Sequence, residues 1–182
     1  MGRWAWILAA LTLADKWDLE VERWNRKIAW RKLDEVRNVA EIRKKPVMVI
    51  VHRRCSDDPI QENISHMVIP TGTKVGRGCK AVKHLFGESK EIETKAKQFI
   101  MVLAGDEMEP DPERWGNKFA PDGVYYPRVV FLTHKGNRMN VTNNKEDQYK
   151  FWYDEPDDIA AAMDRAVEAF KVHEDSRDKT EL

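Results

Sequence analysis

The chain has 182 residues, a length that suits one domain with a real hydrophobic core. Lysine plus arginine and aspartate plus glutamate balance at 31 each, so charge offers no argument for a nucleic-acid or anionic-membrane partner. With 34% charged and 42% hydrophobic residues, the composition is that of a soluble globular domain with a heavily charged surface, and it excludes a disordered chain.

The first fourteen residues stand apart. MGRW carries one positive charge, and Ala5 to Ala14 (AWILAALTLA) is a short apolar run. Thr12 and Ala14 suit the positions before a cut, with Asp15 as the first mature residue, so residues 1–14 read as a secretory signal peptide; the other reading is a buried helix start. The run is shorter than the ~20 residues that a bilayer requires, and no longer one follows, so no membrane span is expected.

Trp17, Val21, Trp24 and Ile28 recur at helical spacing, which predicts an amphipathic helix or docking arm over 15–27 with its tryptophans covering the core. Leu33, Val36 and Ala40 mark a second helical face that ends before Pro46. Val47–Val51 is a continuous apolar, β-branched run and predicts a strand covered on both faces. From Cys79 the spacing is helical again through Val82, Leu85 and Phe86, breaks near Gly87, and resumes through Ile92, Ala96 and Phe99. Ile100–Ala104 and Val129–Leu132 predict two more strands, separated by a polar, proline-rich stretch from Asp106 to Gly123. His134 to Asn137 reads as a turn and Tyr149 to Tyr153 as a more polar strand. A last helix starts at the acidic DEPDD and carries Ile159, Met163, Val167 and Phe170 on one stripe. The order predicts an α/β fold, a mixed sheet with helices on both faces.

Two sequons, Asn63-Ile-Ser65 and Asn140-Val-Thr142, are candidate glycan acceptors. Lys179, Thr180, Glu181 and Leu182 spell KTEL, a close variant of the KDEL retrieval signal, within a tail assigned to 172–182. Together with the signal peptide this predicts the lumen of the endoplasmic reticulum, where disulfides persist. A retrieval receptor reading the C-terminus is then an expected partner.

The anomaly is the stretch between the first predicted strand and the next helix. It holds both cysteines, Cys55 and Cys79, with twenty-three residues between them. A structureless loop of more than ~15 residues inside a compact domain is uncommon. His52, Cys55, His66, Cys79 and His84 offer zinc donors, but their spacing matches no zinc motif, so no metal and no cofactor are expected.

KPVMVIVH (45–52), GCKAVKHLFGESKEIE (78–93), FIMVLAGDEMEPD (99–111) and FAPDGVYYPRVVFL (119–132) occur in order. They resemble the small endoplasmic reticulum thioredoxin proteins of the thioredoxin domain-containing protein 12 and anterior gradient group, whose distinctive feature is an acidic loop followed by PDG-x-Y-x-PR. The resemblance covers about 28–171 and implies a thioredoxin-like fold. It implies that Pro127 is a cis-proline which, with Tyr126, faces a bound substrate, and that the role is thiol–disulfide exchange on secretory-pathway clients.

The resemblance also exposes a departure. In the family two cysteines stand in a C-x-x-C turn at a helix amino terminus, where free amides and the helix dipole favour a thiolate. Here GCKAV puts Cys79 at the second position, while the first is Gly76. Cys55 follows the strand at about the place of the missing sulfur, so residues 53–78 read as an insertion that splits the motif, with Cys55 and Cys79 as candidate catalytic residues. Three arrangements stay open: a looped-out insertion with a redox-active Cys55–Cys79 pair, a purely structural bond, or two separate thiols. A client-binding protein without a working dithiol is the competing function, and a retained intron is a further account of the insertion.

Overall fold

The computed structural model describes residues 24–52, 76–105, 118–145 and 148–178. Four strands form one mixed sheet in the order β1-β3-β2-β4: β1 (Trp30–Lys32), β2 (Val47–His52), β3 (Ile100–Gly105) and β4 (Arg128–Leu132). β3 pairs in parallel with both β1 and β2, and β4 pairs antiparallel with β2. Every residue of β2, β3 and β4 is buried, as runs of apolar residues without alternation require.

The pleat divides the core in two. Met48, Ile50, Met101, Leu103, Val129 and Phe131 face a layer that includes Val82, Phe86, Ile92, Ile159 and Met163. Val47, Val49, Val51, Val102, Val130 and Leu132 face Leu33, Val36, Ala40, Phe119 and Phe151. Helices α2 (Gly76–Glu88), α3 (Lys90–Ala96) and α4 (Pro156–Asp178) contribute to the first layer and α1 (Val36–Arg43) to the second. The expected α/β architecture with helices on both faces of a mixed sheet is therefore present, and it is thioredoxin-like.

Local chemistry sets the boundaries. A 3-10 turn over Leu33–Glu35 leads into α1, which ends at Lys44 in a left-handed conformation (φ 48°) just before Lys45-Pro46. Helix α3 opens at Ser89, whose extended backbone and hydroxyl acceptor for the Ile92 amide (3.2 Å) make an N-cap. The break expected near Gly87 thus falls two residues later, at Ser89. Gly87 stays helical, and a Cβ there would meet the Trp24 carbonyl oxygen at 3.4 Å.

Two further expectations change. Of the two readings, helix or docking arm, the helical one does not hold over the described part, since Trp24 to Ile28 is a turn, while 15–23 lie outside the described residues. Asn25 is the cause: its side-chain oxygen accepts from the Lys27 amide (2.9 Å), its backbone carbonyl accepts from the Ile28 amide and the Trp30 indole, and its Nδ2 donates to the Phe86 carbonyl (2.8 Å). Tyr149 to Tyr153 forms no strand. Tyr149 is left-handed (φ 57°), the buried Asn143 amide donates to the Tyr149 and Trp152 carbonyls, and the Phe151 carbonyl accepts from the Val129 amide of β4 (2.8 Å). Helix α4 runs to Asp178, beyond the stripe that ends at Phe170, and neither glycine nor proline interrupts 167–178.

Candidate functional site

The carboxyl end of β2 meets the amino end of β4 and the carboxyl end of β3. Val51 is opposite Arg128, and His52 is opposite Gly105. After β2 the chain passes through 53–75, outside the described residues, and enters α2 at Gly76. Residues 76–78, read as the end of the insertion, are therefore helical. Cys79 is the fourth residue of α2, one turn before Val82 and Lys83; its backbone is described and its side chain is not. Cys55, Asn63 and the 179–182 tetrapeptide lie outside the described residues.

The floor of this corner is aromatic. His52, 2% exposed, packs on Trp24 with ring centroids 4.9 Å apart. Trp24 also meets Trp30 and Phe86 edge-on at 5.8 and 5.7 Å, and the Lys83 ammonium lies 5.7 Å from its ring centre. A Cβ on Gly105 would stand 2.8 Å from His52 Cε1, so the imidazole occupies space that only glycine leaves open.

The wall is the loop before β4. The Tyr126–Pro127 peptide is cis, as the resemblance implied. Pro127 is buried and Tyr126 half-buried. Two polar clamps hold the loop. Arg128, 2% exposed, donates from Nε to the Phe119 carbonyl (2.7 Å) and from Nη1 to the Tyr125 carbonyl, with its guanidinium 4.9 Å from the Tyr126 ring centre. The Tyr125 hydroxyl donates to the Asp122 carboxylate (2.8 and 2.9 Å) and accepts from the buried Phe151 amide (3.1 Å). Asp122 also accepts from the Lys150 amide (2.7 Å), and Gly123 supplies the left-handed turn (φ 125°) between them. Burial, helped by the Asp122 carboxylate, pushes the Tyr125 phenol far above its ordinary pKa.

The PDG-x-Y-x-PR signature is thus a brace: Asp122, Gly123, Tyr125 and Arg128 fix the backbone that carries Tyr126 and Pro127. Sequence reasoning quoted these residues only as a signature and did not assign them this task. The Asp-Gly pair pointed to a turn, but nothing local marked Arg128 as buried or Phe151 as its neighbour's partner. His52 and Gly105 were also missed as a packed pair, since fifty-two residues separate them.

A groove of about 270 Å³ lies at the other end of the sheet, lined by Leu33, Arg37, Val47, Lys118, Leu132 and Gly136 among others, and none of the expected site residues lines it. Among the described residues no group of three or more histidine, cysteine, aspartate or glutamate side chains could hold a metal ion. No described helix is long and apolar enough to cross a membrane. Asn140 is exposed, on the segment that follows the Leu132–Arg138 bridge.

No protein-family model matches the chain. It is 30% identical over 94 residues to anterior gradient protein 2 homolog of Mus musculus and 29% identical over the same length to those of Homo sapiens and Pongo abelii. Each match covers 51% of this chain and 49% of the relative, so the chain spans about half the length of the curated relatives it matches. With its mixed sheet between helices and its braced cis-proline loop, the chain is a thioredoxin-like protein distantly related to the anterior gradient group.

Proposed function

We propose that this protein is a thioredoxin-fold protein of the endoplasmic reticulum lumen that exchanges disulfides with secretory-pathway clients. The observation that carries this reading is the position of Cys79 in the first turn of α2, the next described element after β2, whose carboxyl end lies opposite Arg128 at the end of the Tyr126–Pro127 loop. Free backbone amides at a helix amino end favour a thiolate, and Arg53, Arg54, Lys74, Arg77 and Lys80 add nearby positive charge in sequence. Cys55 supplies the attacking thiolate. It displaces one client sulfur as a thiolate and forms a mixed disulfide; Cys79 then attacks Cys55, freeing the second client thiolate and leaving Cys55–Cys79 oxidised. The client disulfide is reduced by two electrons that the cysteine pair loses, so no cofactor takes part. Tyr126 and Pro127 bind the client segment beside the reacting sulfur. The apolar run at 5–14 and the KTEL tetrapeptide support entry to the lumen and return to it by a retrieval receptor.

Gly76, three residues before Cys79, favours a second reading: a client-binding protein that keeps the loop and corner but lacks a working dithiol. Insulin reduction with added reductant separates the two. Activity abolished by Cys79→Ala and by Cys55→Ala establishes exchange. Folded, inactive wild-type protein that still co-purifies with clients establishes binding alone. A non-reduced digest examined by mass spectrometry shows a Cys55–Cys79 peptide under the first reading, and two freely labelled thiols after oxidation would end it.

A further inference from the structure

We propose that Asn140 carries an N-linked oligosaccharide, an inference that rests on the luminal reading above. The argument starts from the way the sequon sits in the fold. From Met139 to Val141 the chain alternates: Met139 and Val141 are 7% and 4% exposed and belong to the core against β4 and α4, while Asn140 between them is exposed. Thr142, two residues on, is half-exposed. An extended chain turns residues i and i+2 to one side, so the asparagine and the threonine that define the sequon share the outward face, and the valine between them anchors inward.

The segment is held from both sides. The Met139 amide donates to the Phe131 carbonyl of β4 (2.8 Å), and the Thr142 carbonyl accepts from Arg165 Nη2 of α4 (2.7 Å). Thr142 Oγ1 donates to Asn144 Oδ1 (2.9 Å), a surface contact. A glycan on Asn140 therefore extends into water and displaces no core group, which is the condition for a bulky polar graft on a folded domain. Asn143, three residues later, shows the contrast: it is 7% exposed and its amide nitrogen is committed to the Tyr149 and Trp152 carbonyls.

The co-reactant is a polyprenyl-pyrophosphate-linked oligosaccharide, delivered by a luminal transferase. Asn140 Nδ2 forms a bond to the anomeric carbon, the bond from that carbon to the pyrophosphate oxygen breaks, and one amide proton leaves with the pyrophosphate. No oxidation or reduction occurs.

The test is translation of the full chain in the presence of microsomes, with and without an appended C-terminal tag bearing an independent acceptor sequon. Digestion with an endoglycosidase reads the number of glycans. The expected result is a glycan-sized step that Asn140→Gln and Thr142→Ala both remove and Thr142→Ser keeps, whatever Asn63→Gln does. A tag that is glycosylated while no step depends on Asn140 overturns the proposal and leaves luminal entry standing. Absence of glycan on tag and chain alike overturns luminal entry, and this proposal with it.

Discussion

Replacing Tyr125 by phenylalanine removes one oxygen from the brace beneath the proline loop. That oxygen accepts from the Phe151 amide at 3.1 Å and donates to Asp122 at 2.8–2.9 Å. The Phe151 amide is buried, and leaving such a donor without an acceptor costs about 1–3 kcal/mol. Asp122 is exposed and keeps the Lys150 amide, so its loss adds little. The expected destabilisation is ~2 kcal/mol, which for a chain of this size lowers Tm by about 4–8 °C. Urea unfolding followed by tryptophan fluorescence reads it, since Trp24 and Trp30 are buried in the native state. The pH dependence sharpens the experiment. The native phenol holds its proton far above the ordinary value, mainly through burial, whereas the unfolded one ionises near pH ~10. The resulting stability is complete below pH ~10 and is lost as pH rises, at up to ~1.4 kcal/mol per unit. The deficit of Tyr125→Phe should therefore shrink between pH 9 and pH 11. A variant as stable as wild type at pH 7, or a deficit that stays constant into the alkaline range, would refute the brace.

The other consequences are separable. Tyr153, 1% exposed and likewise raised by burial, should give a second alkaline slope that Tyr153→Phe removes; an unchanged alkaline limb in that variant contradicts the assignment. Gly105→Ala forces the His52 ring from its place against Trp24 and should cost about 1–3 kcal/mol in chemical denaturation, with part of the loss recovered in a His52→Ala background; purely additive losses would show that the two sites do not touch. Ser89→Ala removes the cap of α3 and should cost ~1 kcal/mol, whereas Ser89→Asp should hold near wild type. Equal melting of the two Ser89 variants would argue against capping as the cause.

What was legible in the sequence was whatever depends on near neighbours. Val47–Val51, Ile100–Ala104 and Val129–Leu132 stood out as buried strands because an inner strand is apolar at every position, and the stripe from Ile159 to Phe170 marked α4 by its spacing. Where the pattern was ambiguous, distant partners decided. Phe151 and Tyr153 are buried and Trp152 half-buried, a burial pattern that suits a strand, yet Asn143 takes the carbonyls that a strand would have offered to a ladder. Trp24 and Ile28 are buried as their spacing implied, but Asn25 turns the backbone toward Phe86 in place of a helix.

The sequence by itself determined the order of elements, the position of Cys79 relative to a helix start, the vacancy at Gly76 and the kinship that its motifs carry. The tertiary structure decided the sheet order, which sets Val51 against Arg128 and His52 against Gly105, and so builds one corner from three strand ends. It also decided that PDG-x-Y-x-PR acts as a brace, because Phe119, Asp122, Tyr125, Arg128 and Phe151 satisfy one another only when the loop folds over the sheet. Helical and strand periods are properties of a few consecutive residues. A buried guanidinium and a glycine under an imidazole are properties of contacts that exist only once distant segments have packed.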